Sequence, residues 1–185
     1  DCDANDLEAN SLFRNIRLYE DLPQTKNLAV QNQYLNLDSI SSYGGGQDQS
    51  IKGAVNSQGN QIELTGNSWK KLDLGGYKIT ENTVLEFDFQ SSKEPEISGI
   101  GFDNDNTVSR ASLLQVSGTQ NWGIQDFNNY SINSGWKSYK IKAGDHFSGN
   151  YKYLTFANDN DCDANDLEAN SLFRNIRLYE DLPQT

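Results

Sequence analysis

The chain has 185 residues, 35% of them hydrophobic and 11% aromatic, and a formal net charge of −11. This length suits one domain, and the acidic balance argues against nucleic acid or anionic lipid as partner. No apolar run is long enough for a membrane span or a signal peptide, so no membrane insertion is expected; with no Met in the sequence, the export signal of a secreted protein is expected outside this stretch.

Residues 1–25, "DCDANDLEANSLFRNIRLYEDLPQT", recur letter for letter as 161–185, an offset of 160 residues. Solenoid repeats run at roughly 20–50 residues, so this period is that of a whole domain. Three origins fit it: a tandem array of near-identical domains cut out of phase, an engineered duplication, or a terminal strand exchanged between neighbours. The first 25 residues carry six acids and two bases, leaving −7 on the remainder. Cys2 and Cys162 are copies of one position, so a single unit holds one thiol and no disulfide framework. Residues 26–39 read as a linker and leading strand, and 40–185 as the folded module.

The module opens on "SSYGGGQDQ" (41–49), where three glycines let a ligand or metal approach the backbone beside Tyr43, with Gln47 and Asp48 as further candidates. A flexible loop is the competing reading. Strands are expected at "QIELT" (61–65), "TVLEFDF" (83–89), "EISGIGF" (96–102), "SLLQVS" (112–117), "KSYKIK" (137–142), "YKYLTFA" (151–157) and "SLFRNIRLYE" (171–180). Turn formers separate them, among them Gly75-Gly76, Ser117-Gly118, Ser134-Gly135 and Ala143-Gly144-Asp145. Leu85, Phe87 and Phe89 share one strand face, with Glu86 and Asp88 on the other. No segment sustains a helical period. The fold class is therefore all-β, a jelly-roll-type sandwich. One sandwich has one slot for its last strand, so the twin of that strand at 11–19 is expected to pair elsewhere and drive self-association.

The chemistry concentrates in "NDNDCDANDLEAN" (158–170). Asp159, Asp161, Asp163, Asp166 and Glu168 fall within ten residues. Carboxylates this crowded repel one another unless a cation neutralises them, and calcium takes six to eight oxygens in a flexible shell. The EF-hand pattern fails for want of its glycine and its twelfth-position acid, Leu172 standing there instead. Asp103 and Asp105 in "FDNDN" form a second candidate cluster. A solvated acidic turn is the alternative at both places. Aromatic faces stack on sugar rings, which makes Trp122 in "TQNWGIQDF" and Trp136 in "NSGWKSY" candidates, each with core burial as the alternative; Trp69 in "GNSWKKL" reads as core.

The ordered set "GNSWKK", "GIGFDND", "GTQNWG" and "FANDND…FRNIRLYE" resembles a β-sandwich module appended to secreted, often marine, polysaccharide-degrading enzymes, over residues 40–180. It is similar, more distantly, to the calcium-dependent xylan-binding module families 36 and 60. The resemblance implies polysaccharide as partner, Ca2+ as cofactor, an extracellular or cell-surface location, and Asn158, Asp159, Asp161 and Asp163 at the positions of a calcium-and-sugar loop. Enzyme motifs are absent: His146 has no Ser or Cys motif to serve, and Glu86, Asp88, Glu94 and Glu96 supply carboxylates without a defined separation. A non-catalytic, calcium-dependent carbohydrate-binding module is the expectation. A structural repeat of an extracellular fibre or adhesin, stiffened by calcium, is the alternative.

Overall fold

The computed structural model describes residues 34–49, 53–56, 58–161 and 168–182. The twin segment at 11–19, both cysteines, Asp163 and Asp166 lie outside the described residues.

Ten strands run in chain order: β1 (Ser41–Ser42), β2 (Gly53–Val55), β3 (Gln61–Thr65), β4 (Ser68–Ile79), β5 (Thr83–Gln90), β6 (Ile97–Asp103), β7 (Leu113–Ser117), β8 (Lys137–Lys142), β9 (Gly149–Asp159) and β10 (Asn170–Glu180). They form two five-stranded sheets, one ordered β1-β4-β9-β6-β7 and the other β2-β3-β10-β5-β8. Every pairing between named strands is antiparallel. From β3 to β10 the chain crosses between sheets at every step except β6 to β7. That alternation, with β10 returning beside β3 and β9 beside β4, is the connectivity of a jelly roll. No described helix is long and apolar enough to cross a membrane.

Alternation of side chains builds the core. Leu85, Phe87 and Phe89 of β5 are buried, whereas Glu86 and Asp88 stay partly exposed on the outer face. Phe173 lies within ring-contact range of Phe87, Phe89 and Phe156, at 6.0, 5.1 and 5.5 Å between centroids, and so ties the two sheets together. Burying each such ring contributes roughly 1.5–3 kcal/mol. Leu37, expected in the linker, is fully buried in this core, and Leu35 donates its N–H to Ile176 O at 2.8 Å.

Two irregularities depart from the sequence reading. Gly75 and Gly76, expected in a turn between strands, lie inside β4 with φ of 66° and 86°. Asp73 pairs with Tyr153 and Tyr77 with Tyr151, so residues 74–76 bulge opposite one residue of β9. The second bulge is in β10, where Arg174 pairs with Asp88 and Arg177 with Glu86, and Asn175 takes φ 53°. Strict period-two alternation would send Arg174 and Arg177 to opposite faces. The extra residue keeps both on the outside, and Phe173, Ile176 and Leu178 all inside.

β10 lies between β3 and β5, so the C-terminal copy of the duplicated segment occupies an interior position of its sheet. The edge strand β8 carries Lys137, Lys140 and Lys142, charges that discourage further strand pairing.

Candidate functional site

The outer face of the β1-β4-β9-β6-β7 sheet is roofed. Tyr43, Trp69, Ile97, Leu113 and Ala157 form a buried cluster there, with Val108 and Trp122 packed against it. Trp122 is half-buried and meets Trp69 edge-on, 5.7 Å between centroids at 78°. At the end of this cluster Trp69 donates its indole N–H to Asp159 Oδ1 at 2.9 Å. Asp159 is only 7% exposed. Burial pushes its carboxyl above the usual aspartate range; the Trp69 hydrogen bond opposes this, and the like charges of Asp161 and Glu96 add to it.

Those three acids converge. One carboxylate oxygen each from Glu96, Asp159 and Asp161 lies within 4.8 Å of the others. The geometry is fixed by backbone: Glu96 N–H donates to Asp159 O at 2.9 Å, and Asp161 N–H to Glu96 Oε2 at 2.8 Å. Gln120 joins the Trp122 loop to the group by donating from Nε2 to Glu96 Oε1 at 2.8 Å. Gly118 permits the close approach of that loop; a Cβ there would lie 2.3 Å from Glu96 O. An all-oxygen donor set suits a hard cation. Oxygens at about 2.3–2.6 Å from calcium stand at most about 4.6–5.2 Å apart, so the observed spread fits one shared ion. In the linear sequence Glu96 reads only as a carboxylate available for catalysis; its position just before β6, beside the end of β9, is what brings it to Asp159.

The other predicted residues are placed as follows. Glu168 is exposed and pairs with Lys93 at 3.0 Å rather than joining the three converging oxygens. Asp103 and Asp105 are used locally: Asp103 Oδ1 accepts from Asn104 N–H at 2.6 Å, its Oδ2 accepts from Tyr43 O–H, and Asp105 Oδ1 accepts from Thr107 N–H at 2.6 Å. Tyr43 is 1% exposed, so its ring fills the roofed cluster instead of offering a stacking face. Asp48 is spent on Lys70, 2.6 Å away, and on Trp69 N–H. Asn158, fully buried, donates to Gly66 O at 2.6 Å and accepts from Ser171 Oγ at 2.6 Å, a bracing role between the sheets that leaves its amide no access to a ligand. Trp136 is half-buried, with the Arg174 guanidinium 3.8 Å above its ring.

That stack lies on the outer face of the other sheet, which has a different character. Arg174 pairs with Asp88 at 3.2 Å, and Arg177 with Glu86. Ser138 and Asn175 also donate to Asp88, at 2.6 and 2.8 Å. Desolvation raises the Asp88 pKa, but these hydrogen bonds outweigh it and hold the carboxyl below the usual range. Tyr179 O–H donates to Glu86 Oε1 at 2.6 Å. Beside these pairs lies an open groove of about 340 Å³, lined in part by Tyr34, Glu86, Asp88, Lys140 and Arg177.

No protein-family model matches the chain, and no curated protein matches it. Among solved structures the chain is similar to a family 30 carbohydrate-binding module of a cellulosomal cellulase of Clostridium thermocellum, at 20% identity and a TM-score of 0.43, over 78% of this chain and 91% of that one. Two further structures of family 30 carbohydrate-binding modules match at 18% identity, with TM-scores of 0.41 and 0.42, covering 78% and 76% of this chain and 83% and 91% of theirs.

Proposed function

We propose that this domain is a non-catalytic, calcium-dependent carbohydrate-binding module of a secreted or cell-surface protein. The observation that carries the reading is the convergence of Glu96, Asp159 and Asp161 beside the half-buried Trp122. Two carboxylates crowded against the buried Asp159 are destabilising without a counter-ion. Calcium, when bound, would neutralise them and offer coordination positions to sugar hydroxyls. Trp122, edge-on to the Trp69 ring that hydrogen-bonds Asp159, is the side chain on which a sugar ring would lie. Asp163 and Asp166 are proposed as additional ligands from their sequence positions.

Titration of soluble polysaccharides in 1 mM-scale calcium and again in EGTA tests this. The reading expects affinity for at least one glycan to fall about tenfold or more in chelator, a loss of about 1.4 kcal/mol, and to return with calcium. Affinities equal in both buffers for every glycan bound would overturn it.

The letter-for-letter duplication favours a second reading alongside the first, in which copies associate through residues 11–19 into a fibre or adhesin. Its motive is that the closing slot between β3 and β5 is filled by β10. Sedimentation of the full chain distinguishes them: a strict monomer at micromolar concentration removes the association.

A further inference from the structure

The outer face of the β2-β3-β10-β5-β8 sheet is used by nothing proposed so far, and it is built rather than bland. Its cross-strand rows place acid opposite base: Asp88 against Arg174, and Glu86 against Arg177. On the other side of β5, Lys140 stands opposite Glu86 and reaches Asp181 at 3.4 Å. Every charge in these rows has an opposite partner. On a chain of net charge −11, this face is a locally neutral strip.

Two depressions follow the strip, one of about 340 Å³ and one of about 240 Å³, and Lys140 lines both. The larger lies at the lower end of the roughly 300–1,000 Å³ range of small-molecule sites. Aromatic rings stand along it. Tyr34 is 52% exposed at the larger depression, with the Arg177 guanidinium 5.6 Å from its ring. Tyr139 also lines the larger depression, and outside it Trp136 lies under Arg174, the partner of the lining Asp88.

We propose that this groove is a second glycan-binding site, independent of calcium, for an extended neutral polysaccharide. The inference rests on the reading of the domain as glycan-binding but uses none of the same side chains. Sugar hydroxyls both donate and accept, and paired carboxylates and guanidiniums supply both functions at fixed positions. An open tyrosine ring supplies the apolar contact for a pyranose C–H face. The pairing also selects against charge. A uronate or phosphate polymer would have to break an Arg–carboxylate pair to gain a cation, whereas a neutral sugar need only join the hydrogen bonding. Two depressions that share Lys140 as a lining residue suit several sugar units rather than one. The β10 bulge makes the site, because it puts Arg174 and Arg177 on one face.

The test is affinity electrophoresis of the full chain, in EGTA, through gels containing hydroxyethylcellulose, xylan, galactomannan, polygalacturonate or alginate. Retardation is expected on at least one neutral polymer and on neither uronate. Tyr34→Ala should weaken that retardation about tenfold, and its exposure keeps the fold out of question. Glu86→Gln, checked by its melting curve, should do the same. No retardation on any neutral polymer in EGTA overturns the proposal, as does retardation on the uronates or a Tyr34→Ala chain that runs like the parent on the neutral ones. Binding that appears only with calcium, unchanged by Tyr34→Ala, sinks this groove and leaves the calcium-site reading standing. EGTA-resistant binding alone does the reverse.

Discussion

The two outer faces of the sandwich solve opposite problems. One is covered by loops, buries aromatic rings outside the main core, and gathers three acids at its rim. The other is open, keeps its charges in matched rows, and leaves a tyrosine ring in solvent. Burial of Asp159 beside two other acids makes a cluster that a cation would stabilise. Exposure with pairing turns a similar number of charges into a neutral, hydrogen-bonding surface. The same residue types therefore point to different ligands, and the environment decides which.

Stability gives the largest contrast. Trp69→Ala removes the centre of the roofed cluster and the donor to Asp159, and should cost about 3–5 kcal/mol in chemical denaturation. Tyr34→Ala on the open face should cost within about 0.5 kcal/mol. Equal losses would mean that the two faces are not differently buried. Gly118→Ala tests how the roofed face holds its acids. Its φ of 133° and the 2.3 Å approach of a Cβ to Glu96 O predict a loss of about 1–3 kcal/mol. The calcium response should weaken with it; a variant with parental stability and parental calcium affinity would contradict the role of that contact.

Asp159→Asn sharpens the comparison from the other side. It keeps an acceptor for Trp69 and removes one crowded charge, so the metal-free protein should gain about 1 kcal/mol, or about 2–4 °C in melting temperature, while losing its response to calcium. Asp88 should behave in the opposite sense. Its pKa is lowered on folding, so it stabilises the fold fully above the ordinary aspartate pKa of about 3.9 and loses that contribution as pH falls through the depressed folded value. Asp88→Asn should accordingly be less stable at neutral pH and show a shallower decline below about pH 4. An unchanged acid limb would mean that the Arg174, Ser138 and Asn175 contacts are not stabilising.

Much of the scaffold was readable from residue order. Strands at 61–65 and 137–142 fall where alternation and turn residues place them, and Leu85, Phe87 and Phe89 face inward as the period-two pattern requires. β4 escaped because Gly75 and Gly76 look like a turn; only pairing with β9 makes them a bulge. The acidic loop was visible as a run of letters, but Glu96 is 63 residues from Asp159 in sequence and joins it only through strand pairing. Three neighbouring glycines make Tyr43 look like a ligand residue, and the resemblance to the calcium-dependent modules does the same for Asn158. Their burial depends on the roof over one sheet and on Ser171 from the other, neither of which a linear pattern contains. The open groove was missed for the same reason: one bulged residue in β10 decides which way two arginines point.

The central claim is that Glu96, Asp159 and Asp161 share a calcium ion, and thermal melting of the full chain in EGTA and in graded calcium tests it most directly. Binding only to the folded state should raise stability by about 2.7 kcal/mol at a hundredfold excess over the dissociation constant, moving the transition up by several degrees in a saturable way. A melting curve that is the same in EGTA and in millimolar calcium would contradict the account.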